Sequence, residues 1–383
     1  MKKNKHLFGI GMFVAFSSYS LFYTQIIPFL TQLGYSPTQR GYVISVVSLV
    51  SIVGQIILGY LSDRFGTVKR LFLYVTFIMV MCAFLAFTTT IHDYWFHLFV
   101  IGLGAGMTRI LANLFETWVM EINEIRPEFG YVRAYGSFGW AIFALFSGFL
   151  ITSLGYRSLA IVIGLCSLIV VGLSTKMADA DKVVARKVAL SDVQALLKNK
   201  DYMLLIVIYF IALLVYNADA VTITDYMVSM GGTERTIGVK WFVQAMFEVP
   251  TLFIGATLIR RIGAKKMMFI GSVVLGLRLF ASGLVSSNGM IILIATSQAL
   301  TYPFILLSQK DLVFKELPDI LKSTGQLLAI SLSVGFAGVI TPILSGFLIE
   351  RMGIQSVLMI FGSLMVFPII LLYFVKEGPS VNI

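Results

Sequence analysis

Apolar residues run almost unbroken through twelve stretches of this chain, at about residues 7–33, 40–61, 70–90, 94–120, 132–154, 157–175, 202–229, 236–259, 267–286, 289–309, 323–349 and 354–375. Each is at least as long as the roughly 18 residues that mark a membrane-spanning helix, and polar or turn-forming residues collect in the gaps. Strands of a closed barrel would alternate polar and apolar positions instead. The pattern therefore predicts an all-α membrane protein with twelve transmembrane helices. The longest polar interval, 176–201, follows the sixth stretch and divides the chain into predicted six-helix bundles at 1–175 and 202–383, joined by a linker. Within it, Leu190 to Lys198 places apolar residues at helical spacing after Ser191, which predicts a short interfacial helix.

The two halves repeat. Ser147-Gly148-Phe149-Leu150-Ile151 recurs as Ser345-Gly346-Phe347-Leu348-Ile349 at an offset of 198 residues, and Leu61, Arg64 and Gly66 recur one residue closer as Leu258, Arg261 and Gly263. Duplicated bundles of this kind are a transporter architecture, with the substrate site expected near the bilayer midplane. Composition agrees: 58% of residues are hydrophobic, only 13% are charged, and mean hydropathy is +0.91. Such a surface needs lipid as its partner. Net charge is +10, which raises nucleic acid as a ligand, but the basic residues cluster between apolar spans. Placing the N-terminus inside puts 22 of the 29 Lys and Arg on the cytoplasmic side. Both termini are then cytoplasmic, in a plasma (inner) membrane, and no nucleic-acid role is expected. Cys82 and Cys166 lie inside apolar runs, so neither a disulfide framework nor a metal site is expected. The long polar domain that a receptor or scaffold would need is absent from the pattern, and no nucleophile–base pair or cofactor loop suggests an enzyme.

After the second stretch comes Gly59-Tyr60-Leu61-Ser62-Asp63-Arg64-Phe65-Gly66-Thr67-Val68-Lys69-Arg70. This segment resembles the helix 2–3 loop of the major facilitator superfamily. The resemblance implies two pseudo-symmetric six-helix bundles, with Gly59 permitting close helix approach and Gly66 a tight turn. Asp63, Arg64 and Arg70 would form an electrostatic latch at a gate, Asp63 accepting bonds from a neighbouring helix terminus. A plain positively charged turn is the alternative. The second copy has Arg260 where the first has Asp63, so only the first latch would be complete.

Ionisable residues at bilayer depth are costly and mark candidate sites. Arg109, Asn113 and Glu116 follow i, i+4, i+7 spacing and share one helix face. Arg133 and Trp140 stand two turns apart at the start of the fifth stretch, where Gly136 and Gly139 thin the helix for packing. Here the chain resembles the lactose permease group of oligosaccharide–proton symporters, in which a helix 4 Glu and a helix 5 Arg hold sugar hydroxyls and a helix 5 Trp stacks on the pyranose ring. Glu116, Arg133 and Trp140 match those positions. A structural Glu–Arg pair beside a packing Trp is the competing reading. Tyr19 and Tyr23 either line the same cavity or pack, and His92 and His97 are expected at the interface.

In the second half, Glu248 and Arg278 match charged positions of that group, with Asp219 a looser match. A carboxylate that gains and loses an Arg partner could couple proton binding to transport; Glu248 is the first candidate, and a permanent Glu248–Arg278 or Asp219–Arg278 pair is the alternative. One departure stands out. The group's helix 10 His-x-x-Glu is replaced by Gln298-Ala299-Leu300-Thr301. Gln298 and Thr301 can bind hydroxyls but carry no proton. Pro342, between Gly335 and Gly346, predicts a kink in the eleventh helix. The expectation is a secondary active transporter, monomeric and without cofactor, taking up a sugar, oligosaccharide or similar polyhydroxylated solute on the proton gradient. Sugar or drug efflux is the alternative.

Overall fold

A computed structural model describes residues 4–179, 194, 196–317 and 322–375. The helices among these residues, in chain order, are α1 (Lys5–Gln32), α2 (Pro37–Phe65), α3 (Lys69–Thr88), α4 (Tyr94–Met120), α5 (Phe129–Leu154), α6 (Arg157–Lys176), α7 (Lys200–Ser229), α8 (Glu234–Phe253 and Gly255–Ile262), α9 (Ala264–Leu284), α10 (Asn288–Glu316), α11 (Lys322–Ile330 continuing through Phe336–Met352) and α12 (Ile354–Phe374). Eleven of them are long and apolar enough to cross a membrane. The exception is α8, whose first piece carries Glu234, Arg235, Lys240 and Glu248 within 20 residues. Among the described residues, twelve helices stand where the hydropathy pattern predicts them. The interfacial helix expected at Leu190 to Lys198 falls mostly outside the described residues; Gln194 and 196–198 are helical.

Large apolar side chains such as Phe77 (66%), Leu168 (70%) and Leu293 (68%) stand exposed along the helices. A water-soluble surface would not tolerate that pattern, and a bilayer requires it. The chain is an integral multi-pass membrane protein.

The helices are interrupted where proline or strain dictates. In α1 the backbone leaves the helix at Thr24 and Gln25, since Pro28 cannot donate to the Thr24 carbonyl. In α10 a 3₁₀ turn at Thr296–Leu300 ends on Thr301 (φ −100°, ψ −96°), and the helix restarts at Tyr302 with Pro303 in its first turn. In α11 the irregularity is a π turn at Ser331–Gly335, while Pro342 sits within the regular helix Phe336–Met352. The disturbance in α11 therefore precedes Pro342, where the sequence predicts it, by two to three turns.

Backbone geometry carries the duplication as well. Six glycines among the described residues have positive φ, and they fall into three pairs at the repeat offset: Gly34 and Gly231 (80° and 76°), Gly66 and Gly263 (63° and 85°), Gly155 and Gly353 (74° and 78°). Contacts divide the chain into two compact units, one of residues 1–185 with 227–245, the other of 186–226 with 246–383. The start of α8 thus packs with the first unit.

Candidate functional site

In the first unit, α1 and α5 cross closely enough that a Cβ on Gly139 would stand 2.2 Å from the Phe13 carbonyl oxygen. Only glycine fits there. The crossing brings Tyr19 and Tyr23 of α1 against Trp140, with ring centroids 4.6 and 6.1 Å away. Two turns earlier on α5, Arg133 Nε meets Glu116 Oε1 at 2.6 Å, so the pairing expected between α4 and α5 forms. Arg133 also donates to Ser137 Oγ at 2.9 Å and lies over the Phe16 ring at 4.4 Å. Both members of the pair keep about a third of their side-chain surface open (31% for Glu116, 35% for Arg133). Asn113, on the same face of α4, is exposed.

Arg109 belongs to a different group. Its Nε donates to Tyr19 Oη at 3.0 Å and its Nη1 to Ser48 Oγ at 3.2 Å, and its guanidinium lies 5.1 Å from the Tyr23 ring centre. The cation is thus held by phenols and a hydroxyl from α1 and α2, beside the aromatic wall.

That wall contains a residue that helical spacing does not indicate. Trp241 of α8 lies 6.4 Å from both Tyr23 and Trp140, edge to face with each. It arrives because α8 crosses α5 almost backbone to backbone: a Cβ on Gly238 would meet the Ala144 carbonyl at 2.6 Å, and one on Gly148 would meet Arg235 Cα at 2.5 Å. Gln25 Nε2, on the residue where α1 breaks, donates to Ser147 Oγ (2.8 Å) and the Glu234 carbonyl (3.3 Å) at the same crossing. Tyr156, in the α5–α6 turn, donates to Glu234 Oε1 at 2.9 Å; burial, and secondarily the Glu234 charge, push its phenol well above the ordinary range, so it stays a donor. Small residues on both helices, Gly148 and Gly238, are the one sequence signal for this contact.

The loop between α2 and α3 departs from expectation in part. Gly66 is the left-handed cap of α2, as its turn role requires. Gly59, expected to permit close approach, lies open: a Cβ added to it would have no neighbour within 4 Å among the described residues, so no close helix approach forms over it there. Arg64 and Arg70 are exposed, and the Asp63 side chain lies outside the described residues. The start of α3 is capped by Asp179, from the segment after α6: its carboxylate accepts from Thr67 Oγ1 (2.6 Å) and from the amides of Val68 (3.2 Å) and Lys69 (3.0 Å). Trp118 Nε1 donates to the adjacent Ala178 carbonyl at 2.9 Å.

In the second unit the broken α10 sits at the centre of a charged network. Arg278 Nε pairs with Asp219 Oδ1 at 2.9 Å, with the two side chains 1% and 0% exposed. Of the two pairings the sequence left open, Asp219–Arg278 is formed. Arg278 Nη1 donates to Gln298 Oε1 at 2.6 Å, Thr301 Oγ1 donates to the same oxygen at 3.1 Å, and Gln298 Nε2 donates to Glu248 Oε2 at 2.9 Å. Tyr216 Oη stands 3.4 Å from Gln298 Nε2, and its ring stacks on Tyr302 at 4.5 Å. Gln298 and Thr301, expected to hold substrate hydroxyls, are both fully buried and engaged in this network. The amide has one orientation available: its oxygen faces Arg278 and its NH₂ faces Glu248. Asp219, Arg278, Gln298 and Glu248 therefore form one continuous polar chain across α7, α9, α10 and α8.

The MFS_1 like family model matches residues 8–360. Raffinose permease of Escherichia coli is 24% identical over 388 aligned residues, covering 94% of this chain and 90% of its own. Lactose permease of Klebsiella oxytoca is 23% identical, covering 90% and 87%. Among solved structures, a point mutant of the nucleoside transporter NupG superposes with a TM-score of 0.86 at 17% identity, over 97% of this chain and all of that one. A D-xylose–proton symporter gives 0.76 at 13% identity, over 99% of each. These two likenesses establish the fold.

Proposed function

The chain belongs to the MFS_1 like family, a major facilitator transporter of the lactose permease-like group, and on that premise we propose that it takes up a saccharide or nucleoside-like polyhydroxylated solute together with protons. The observation that carries this reading is the contrast between an open Glu116–Arg133 pair beside Trp140 and a buried Asp219–Arg278–Gln298 network that reaches the half-buried Glu248. Carboxylate and guanidinium take paired bonds from vicinal hydroxyls, and an indole face suits the C–H surface of a sugar ring. Relatives whose names specify raffinose, lactose and sucrose permeases support the saccharide class, and the likeness to a nucleoside transporter keeps the ribosyl ring within it.

Proton coupling then falls to Glu248. As the anion it accepts from Gln298 Nε2; once protonated it gains a donor of its own, and the hydrogen-bond order along Gln298 and Arg278 must change. Placing this switch in α8 and the broken α10 compensates for the absent helix 10 His-x-x-Glu. The protein works as a monomer in the plasma (inner) membrane with both termini cytoplasmic, a topology supported by the 22 of 29 basic residues on that side.

Glu248→Gln tests the coupling. In proteoliposomes the variant should exchange labelled substrate at a rate near wild type and lose accumulation driven by an imposed proton gradient. Accumulation at the wild-type level would remove Glu248 from the coupling role.

A further inference from the structure

Four tryptophans occur in the sequence, and two of them are deeply buried in the first unit in opposite hydrogen-bonding states. Trp118 is 0% exposed and its indole N–H is satisfied by the Ala178 carbonyl at 2.9 Å. Trp241 is 8% exposed and its Nε1 has no hydrogen-bond partner among the described residues. A buried indole N–H ordinarily finds an acceptor, because leaving one unmet keeps the full desolvation penalty of the donor. A tryptophan kept only for packing would resemble Trp118.

The surroundings of Trp241 indicate what kind of acceptor is missing. Its ring meets Tyr23 and Trp140 at 6.4 Å and has Lys240 Nζ 3.9 Å from its centre, and Arg109 beside them is already held by Tyr19 and Ser48. The cluster thus offers aromatic faces together with one unmet donor, the Trp241 N–H. Its complement is a ring with an apolar C–H face and an oxygen acceptor at its edge, which describes both a pyranoside and a ribofuranoside.

We propose that Trp241 is a substrate-binding residue, its N–H donating to a ring or hydroxyl oxygen of the transported sugar while its indole extends the wall begun by Trp140. The proposal rests on the polyhydroxylated-solute reading above and adds a residue of α8 to a site otherwise drawn from α4 and α5. It also gives the α5–α8 crossing at Gly148 and Gly238 a role in specificity: the near contact of backbones is what carries Trp241 to the site.

Isothermal titration of the purified full chain with raffinose, sucrose, lactose and uridine tests it, comparing wild type with Trp241→Phe. Phenylalanine keeps an aromatic ring and removes the donor. The expected result is about tenfold weaker binding of the probe that wild type binds best, with an unliganded melting midpoint equal to or above wild type, since no bond is lost in the free protein. Unchanged affinity in Trp241→Phe overturns the proposal while leaving the transport reading intact. If wild type binds none of the four probes, the transport reading falls and this proposal falls with it. Should Trp241→Phe fail to fold, Trp241→Leu carries the same comparison without ring or donor, with unchanged affinity again overturning the proposal. Whether the preferred probe is a saccharide or uridine identifies the ring class.

Discussion

The Glu116–Arg133 pair closes at 2.6 Å with its side chains 31% and 35% exposed, whereas Asp219–Arg278 closes at 2.9 Å with its side chains 0% and 1% exposed. The functional groups are the same and the solvent differs. An exposed ion pair contributes only about 0–1 kcal/mol, because water competes for both partners. Substrate hydroxyls can compete in the same way, so this pair is easily opened by a ligand. A buried pair is held by the lack of any alternative. Its net contribution is modest, yet removing one member strands a charge and costs about 3–5 kcal/mol. The first arrangement suits reversible recognition, and the second suits a charge that must keep a partner through a conformational cycle.

The largest effect should come from breaking the buried side. Arg278→Ala should lower stability by about 3–5 kcal/mol, read as a large fall in melting midpoint or in folded yield in detergent. Adding Asp219→Ala should recover most of the loss, since the stranded carboxylate is gone. If the double variant is no more stable than Arg278→Ala, the pair is not what Arg278 supports. The next effect belongs to the amide between the two charged ends. Gln298→Leu removes the acceptor of Arg278 Nη1 and the donor to Glu248, and about 1–3 kcal/mol should be lost for partners left unmet. Its affinity for the preferred saccharide or nucleoside should change less than its stability does. A hundredfold loss of affinity with normal stability would return Gln298 to the substrate contacts that its sequence position suggests.

Much of this molecule is legible in its sequence, for reasons that end where contacts stop being local. Lipid imposes long apolar helices, so the spans follow from hydropathy alone; α8, predicted like the others, carries four charges in its first 20 residues and falls short of the apolarity of the other eleven. Spacing along one helix places Arg109 and Glu116 on a common face. The structure nevertheless gives them different partners, Tyr19 and Ser48 for one and Arg133 for the other. The charge of Lys240 suggests a place outside the bilayer at the solvated end of its helix, yet the side chain is fully buried beside Trp241. Asp179 reads as part of a polar linker, and its capping of α3 depends on where the chain leaves α6. Gln298 reads as a plain polar replacement, and only the fold brings Arg278 and Glu248 to its two ends. Trp241 carries no signal at all within its own helix. It becomes a site residue through Gly148 and Gly238, two small residues 90 positions apart whose approach no local pattern encodes.

The smallest effect on stability sharpens the comparison most. Glu116→Gln keeps the shape of the side chain and one acceptor oxygen but abolishes the charge that pairs with Arg133. Because Arg133 retains Ser137 Oγ and the Phe16 face and stays a third exposed, the loss should be under about 1 kcal/mol, hardly visible in a melting curve. Binding should respond far more. A neutral amide accepts weaker hydrogen bonds than a carboxylate, by roughly half, and an open pair exists to present that carboxylate to hydroxyls. Affinity for the preferred probe should therefore fall at least tenfold, about 1.4 kcal/mol, while the melting midpoint holds. Reversal of the two responses, with stability lost and affinity kept, would make Glu116–Arg133 a packing pair and erase its difference from Asp219–Arg278.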